Sequence, residues 1–350
     1  MEHHNPLLTN VDTSSKFITI GEILLRLTPL NYENIHVANH FQAAYGGTEA
    51  NVAVNLANLG VDATFFSVVP NTSLGDGAIR TLRSNKVHCT PVILSTPEET
   101  PTHRLGTCYL ETDCGIQGSR VFYDRKHSAL TEYDLSKVDA DLLLDGFTWL
   151  HLSSVTPALS KSCADFILKC LKTAKAKGLT VSFDSTFCSS LWTLEEAQDY
   201  CTMCLPYVDV LIGIEPDHLQ KDGSSLQPSC EEQEQIFRHF IDRYPNIRCI
   251  ARHVRHAHSN TASSLKAFLW YQGHTFESKM YTSNILDCMG GGDAFASGLI
   301  YAMMNHYEPM DMVNFAAASS VISHTFPSDN NITVSAESIK AITNMNFDIK

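Results

Sequence analysis

Residues 48–69 read TEANVAVNLANLGVDATFFSVV, and two periodicities meet inside them. Across Thr48–Leu59 the apolar residues, Ala50, Val54 and Ala57 among them, recur at helical spacing, which predicts one buried helix face. Gly60 stands where a helix ends on a left-handed residue. Ala63–Val69 then runs on as an apolar strand, and Leu74–Ser84 returns to the helical pattern. With the strand Phe17–Ile20 (FITI) ahead of them, the order is β-α-β-α, which predicts an α/β fold built on a doubly wound, mostly parallel sheet with helices on both faces.

The rhythm continues toward the C-terminus. Strands are expected at 149–153, 180–184, 208–212, 248–252 and 268–271, and helices at 158–177, 195–203, 230–243, 293–305, 309–323 and 335–344. Two segments break it. Residues 23–45 alternate irregularly around Pro29, and 98–130 carry two exposed-looking strands at Thr107–Thr112 and Arg120–Tyr123. These two segments predict a second, small β element. No repeat or low-complexity stretch interrupts the chain.

Bulk properties narrow the function classes. The 350 residues, 44% of them hydrophobic, suffice for one large domain with an appendage. A net charge of −13 with no Lys/Arg cluster argues against nucleic acid and anionic membrane as partners. An anionic substrate then needs local cations, for which Arg104 and Arg125 are the candidates. No apolar run is long enough for a transmembrane helix, and the N-terminus lacks the pattern of a signal peptide. Eleven scattered cysteines predict free thiols in a cytoplasmic protein. The lone CxxC at Cys201–Cys204 has no second pair and is expected to be an ordinary helical pair. His253, His256 and His258 follow neither a strand nor a helix face and are expected in a solvated loop rather than around a metal.

Two stretches carry chemistry. Near the C-terminus, residues 287–299 read DCMGGGDAFASGL. Gly290, Gly291 and Gly292 let backbone N–H groups approach an anion at a helix start, and Asp293 beside them is placed to accept a proton from an attacking hydroxyl. A glycine turn with a capping aspartate explains the same tetrapeptide. Near the N-terminus, YGGTEANVAVNLANLG (45–60) puts Gly46 and Gly47 before a helix, with Asn51 one turn in, where its amide can hydrogen-bond a hydroxyl. Neither a GxxxxGK[ST] loop nor a GxGxxG after the first strand is present.

Together the two stretches resemble the paired signatures of the ribokinase-like (PfkB) carbohydrate kinases, and the resemblance covers roughly residues 17–345. GEILLRLTP (21–29), GGTEANVA (46–53), NTSLGDGAIRTLR (71–83), RLGTCYLE (104–111), VFYDRKHSAL (121–130) and HLSSVTPALS (151–160) look like the branch that phosphorylates 2-keto-3-deoxygluconate. The resemblance implies a kinase domain of residues 16–22, 46–97 and 131–350, a β lid of 23–45 and 98–130, and a polar tail of 1–15. It implies Asp293 as general base and Gly290–Gly292 as anion hole. It implies Gly46, Gly47, Asn51, Arg104, Tyr123 and Arg125 as sugar-acid contacts, and ATP near Arg255 and residues 319–331. ATP, Mg²⁺ or another divalent cation, and a homodimer joined through the lid complete the expectation.

The chain departs from that pattern at several places. Thr186 and Cys188 stand where the family has Asn and Arg, Ile214 and Asp217 where it has Asn and a metal-organising Glu, and Cys108 where the branch has Tyr. Asp217 and its neighbour Glu215 remain as metal candidates. Cysteine supplies neither the charge nor the bidentate contact of arginine. Three readings follow: a sugar-acid kinase, a sugar- or nucleotide-binding protein that has lost activity on a kinase fold, and a kinase for another sugar or a nucleoside.

Overall fold

The computed structural model describes residues 16–112, 118–214, 228–327 and 334–344. The first half of the chain runs β1 (Lys16–Ile20), β2 (Leu24–Pro29), β3 (Phe41–Gly46), α1 (Thr48–Asn58), β4 (Asp62–Phe66), β5 (Val68–Pro70), α2 (Ser73–Ser84), β6 (Ile93–Ser95), β7 (Thr107–Glu111) and β8 (Arg120–Asp124). Two short helices, α3 (Ala129–Glu132) and α4 (Ala140–Leu143), lead to β9 (Trp149–Ser153), α5 (Lys161–Ala176), β10 (Thr180–Asp184), α6 (Leu194–Cys204), β11 (Val210–Ile212) and α7 (Cys230–Arg243). The chain then forms β12 (Cys249–Ser259), β13 (Ala262–Tyr271), β14 (His274–Glu277), β15 (Tyr281–Asn284), α8 (Gly291–Met304), α9 (Pro309–Ser323) and α10 (Ala336–Thr343).

Among the described residues the main sheet has the order β14-β13-β12-β11-β10-β9-β1-β4, with β15 also paired to β13. From β4 to β12 every pairing is parallel; β13, β14 and β15 add an antiparallel edge. Alternate residues of each parallel strand enter opposite cores. Phe17, Val210, Ile212, Cys249 and Ala251 pack with α1, α8 and α9. Ile18, Ile20, Leu211 and Ile250 pack with α5, α6 and α7 on the other face. Strands buried on both faces need near-continuous apolar sequence, as FITI and VLI supply. The helices on the first face are themselves almost wholly buried, α8 and α9 in particular.

A separate four-stranded sheet has the order β3-β2-β7-β8, so both of the irregular sequence segments contribute to it. It carries several exposed apolar side chains, including Phe41, Phe122 and Tyr123.

One expectation is corrected. His253, His256 and His258 do not lie in a solvated loop. They sit on β12, which pairs with β13 along almost its whole length, and the strand extends well past the predicted 252. The polar residues of this strand hid its continuation, because an edge hairpin does not need the apolar run of a central strand. His256 and His258 pack ring against ring, and His258 shares a hydrogen bond with Ser264. Among the described residues no cluster of three metal-ligating side chains occurs. Cys201 and Cys204 are buried on α6, neither in a disulfide. No described helix is long and apolar enough to cross a membrane.

Candidate active site

The parallel strands end together, and the residues just past their carboxyl ends line one side of the sheet, the usual place for a ligand in an open α/β fold. Glu22 follows β1, Ser153 closes β9 with Ser154 just past it, Asp184 closes β10, and Ile214 follows β11. Helices α1 and α8 start at this same edge and pack against each other.

Gly46 and Gly47 are buried between β3 and α1. The helix α1 is buried along nearly its whole length, and Asn51 is only 4% exposed within it. Its side chain bridges the two signatures: Oδ1 accepts from the Gly47 N–H at 3.3 Å, and Nδ2 donates to Asp293 Oδ2 at 2.7 Å.

The second signature forms a turn that opens α8. Gly290 adopts φ 74°, ψ −6°, a left-handed conformation that suits glycine, and its carbonyl accepts from Ala294 N–H to begin the helix. Gly291, Gly292 and Asp293 occupy the first turn, where N–H groups have no intrahelical acceptor and the dipole favours negative charge. A methyl group at Gly292 would meet nothing within 4 Å, so this end of the helix faces open space. At Gly291 the same methyl would lie 2.4 Å from His324 Nε2. The His324 ring is buried, donates from Nδ1 to the Asp287 carbonyl at 2.9 Å, and is held below its usual basicity by burial.

Asp287 opens the motif at 2% exposure and pairs with Arg26 Nη2 from β2. Its other oxygen accepts from Met289 N–H at 2.9 Å. The small sheet is thereby tied by a buried charge pair to the turn that carries the glycines.

The expected cations fall in three places. Arg125 stacks 4.5 Å over the Tyr123 ring and sits 3.4 Å from Glu22 Oε2. Tyr123 leaves its outer face open while burial of the rest raises its phenol; Cys108, Cys188 and Asp293 add to that shift and Arg125 opposes it. Arg104 grips Asp124 of β8 through both Nη atoms at 2.9 Å and also donates to the Asp124 and Lys126 carbonyls. Arg255 is exposed on β12, near enough to His324 and Cys288 to act on both.

The departures have distinct settings. Thr186 turns its hydroxyl and its N–H onto Asp184 Oδ1, closing a small turn. Cys188 is half-buried with its Sγ 3.2 Å from Ser190 Oγ. Cys108 is buried and paired across strands with Tyr123. Ile214 is 2% exposed and belongs to the apolar core on the α5 side, so it offers a ligand nothing polar. Glu215 and Asp217 lie outside the described residues.

Sequence reasoning missed Glu22, Glu49, Arg26 and His324 at this site. Glu49 is 1% exposed, accepts from Ser153 Oγ at 2.6 Å and Thr156 Oγ1 at 2.8 Å, and has its carboxyl raised by burial. Glu22 had a usable signal: it stands two residues past an apolar strand, where parallel sheets place their polar site residues. Nothing local marks Arg26 or His324, whose partner Asp287 is far away in sequence.

Comparison with known proteins places the chain. The profile described as pfkB family carbohydrate kinase matches residues 14–333. The crystal structure of a 2-dehydro-3-deoxygluconokinase from Thermotoga maritima is 35% identical, covers 94% of this chain and 99% of its own, and superposes with a TM-score of 0.88. A 2-dehydro-3-deoxygalactonokinase from Haloferax volcanii is 26% identical over 90% of this chain and 93% of its own length. A 2-dehydro-3-deoxygluconokinase from Bacillus subtilis is 26% identical over 89% of this chain and 90% of its own.

Proposed function

The chain belongs to the pfkB family of carbohydrate kinases, and on that footing we propose that it transfers the terminal phosphoryl group of ATP to a hydroxyl of a sugar acid, 2-keto-3-deoxygluconate (2-dehydro-3-deoxygluconate) first among them. The observation that carries this reading is the Asn51–Asp293 contact, which brings a carboxylate, a helix N-terminus and a buried amide to one point at the carboxyl edge of the sheet.

In this reading Asp293 accepts the proton of the sugar hydroxyl as its oxygen bonds to the γ-phosphorus; the bond from that phosphorus to the bridging oxygen breaks, and ADP leaves with the electron pair. The N–H groups of Gly291 and Gly292 stabilise charge on the transferring group. Gly46, Gly47 and Asn51 orient the sugar, Tyr123 and Arg125 meet its carboxylate, and Arg104 orders β8 beside them. ATP fits the open start of α8, with Arg255 on the nucleotide side. A divalent cation bound with ATP would offset its phosphate charge; the acids that are candidates to hold it, Glu215 and Asp217, lie outside the described residues. The small sheet acts as the lid that keeps water from the transfer, and its exposed Phe41 and Phe122 suit pairing with a second copy. The free thiols accord with a cytoplasmic location.

The test is incubation with Mg-ATP and a panel of sugar acids, neutral sugars and nucleosides, followed by mass detection of the phosphorylated product. Failure of every sugar acid at high enzyme concentration overturns the reading. A second reading, binding with little turnover, is favoured by one observation: the core burial of Ile214 together with Cys188 where the family has arginine. Calorimetric binding of the sugar acid or of ATP without product formation would establish it.

A further inference from the structure

Glu22 is a buried carboxylate, 4% exposed, at the meeting point of four segments of the site. Its Oε1 accepts from Ser128 Oγ at 2.5 Å. Its Oε2 forms an ion pair with Arg125 Nε at 3.4 Å, and neither atom has a hydrogen-bond partner among the described residues. One glycine makes room for the carboxylate, and another for the backbone of the same residue. A methyl group at Gly47 would lie 2.0 Å from the Glu22 carbonyl oxygen, and one at Gly106 would lie 2.8 Å from Oε1. Burial pushes the Glu22 carboxyl up, and Arg125 is the strongest influence holding it ionised, ahead of the Ser128 hydrogen bond.

A carboxylate in this setting is costly unless it is paired, and its nearest charge is the arginine assigned above to the substrate. Arg125 approaches Glu22 through Nε, and its guanidinium face lies on Tyr123. That leaves the edge formed by Nη1 and Nη2, the edge that meets a carboxylate in bidentate fashion. An unrestrained arginine would surrender side-chain freedom on binding; one fixed along one edge and one face has surrendered it already.

We propose that Glu22 is a positioning residue for recognition of the acid substrate: it holds Arg125 by its Nε edge so that the Nη edge meets the substrate carboxylate, and Ser128 holds Glu22 in turn. This rests on the sugar-acid reading of the site. It also opposes the simpler expectation from charge alone. A carboxylate that merely offset Arg125 would weaken binding of an anion, and its removal would tighten that binding.

The experiment is a kinetic cycle on the full chain with 2-keto-3-deoxygluconate and Mg-ATP, using Glu22→Gln, Ser128→Ala, Arg125→Met and the double variant Glu22→Gln/Arg125→Met. Glu22→Gln is expected to raise KM for the sugar acid about tenfold, with kcat and the KM for ATP within about threefold. Ser128→Ala, which leaves both charges in place, is expected to move the same KM in the same direction by a smaller factor. In the Arg125→Met background, Glu22→Gln is expected to change nothing further. A lowered or unchanged KM in Glu22→Gln, or effects that multiply in the double variant, overturns the proposal while leaving the sugar-acid reading intact. A wild-type protein that phosphorylates no sugar acid overturns both. If Glu22→Gln does not fold, Ser128→Ala decides: an unchanged KM for the acid overturns the proposal.

Discussion

Asn51 Nδ2 lies 2.7 Å from Asp293 Oδ2, joining side chains 242 positions apart in the chain. Asn51 is fixed at its other end as well, where Oδ1 accepts from the Gly47 N–H. The two bonds set the amide orientation: the oxygen must face the glycine and the nitrogen must face the carboxylate. Asp293 is thereby held as an acceptor, with a defined direction, at the start of α8.

Replacing Asp293 by Asn keeps the shape and a carbonyl that can face Asn51, and it removes the base. The expected result is a fall in kcat of about 10³, within the range for loss of a general base, with the folded state and sugar binding retained. Steady-state kinetics and calorimetry check it together. A variant that keeps a tenth of wild-type turnover would remove Asp293 from the reaction.

Gly291 and Gly292 are adjacent in sequence and should respond oppositely to alanine. At Gly292 the methyl meets nothing, so Gly292→Ala is expected to unfold at the same temperature as wild type or higher, alanine being favoured over glycine in a helix by up to about 1 kcal/mol. Its turnover should nevertheless fall about tenfold or more, because the methyl enters the space assigned to the phosphoryl group. At Gly291 the methyl meets the ring of His324, which is tied to Asp287 and cannot move freely, so Gly291→Ala should lose about 1–3 kcal/mol of stability. Denaturant unfolding of both variants gives the order directly.

The contrast between these neighbours shows what was legible in the sequence. Helix starts, glycine turns and the β-α alternation are local signals, and α1, α2, α5 and α9 lie close to where periodicity put them. The bridge from Asn51 to Asp293 is not local, and the likeness of the two stretches to one family suggested their meeting where spacing alone could not. His324 had no local signal, since its role comes from packing against a glycine and a carbonyl brought together by the fold. The polar strand β12 was cut short because an edge hairpin shows no apolar run. Arg104 was expected at the substrate from its charge and from the family likeness, and its grip on Asp124 of β8 is a further contact that its spacing does not reveal.

Cys188 offers the sharpest test of whether the site is weakened. It is half-buried beside Ser190 and near enough to Tyr123 to act on its phenol. Cys188→Arg is expected to raise kcat/KM for the sugar acid by about tenfold or more, since an arginine acting on a transferring phosphate supplies several kcal/mol of transition-state stabilisation. Cys188→Ala should stay within about threefold of wild type. Equal activity in all three proteins would show that the position no longer faces the reaction, and a large loss in Cys188→Ala would mean that the thiol itself has a role.

Stability should fall on mild acidification, and His151 identifies one cause. The side chain is fully buried on β9, bonded through Nδ1 to Ser182 Oγ at 2.9 Å, and burial pushes its pKa down from 6.5 to about 3. The folded protein therefore keeps this ring neutral, while the unfolded chain takes up a proton below about 6.5. The stabilising contribution is complete above the unfolded value and is lost as pH falls from about 6.5 toward 3, at up to about 1.4 kcal/mol per pH unit. His253, lowered to about 4 by burial and by His324, Arg252 and Arg255, acts with the same sign. Urea unfolding of wild type and His151→Gln, at about pH 7 and about pH 5, isolates the first group. The variant is less stable at both, but the gap between the proteins should narrow by about 2 kcal/mol at the lower pH, because only wild type carries the penalty of leaving His151 unprotonated. Parallel losses in the two proteins would assign the acid sensitivity to other groups.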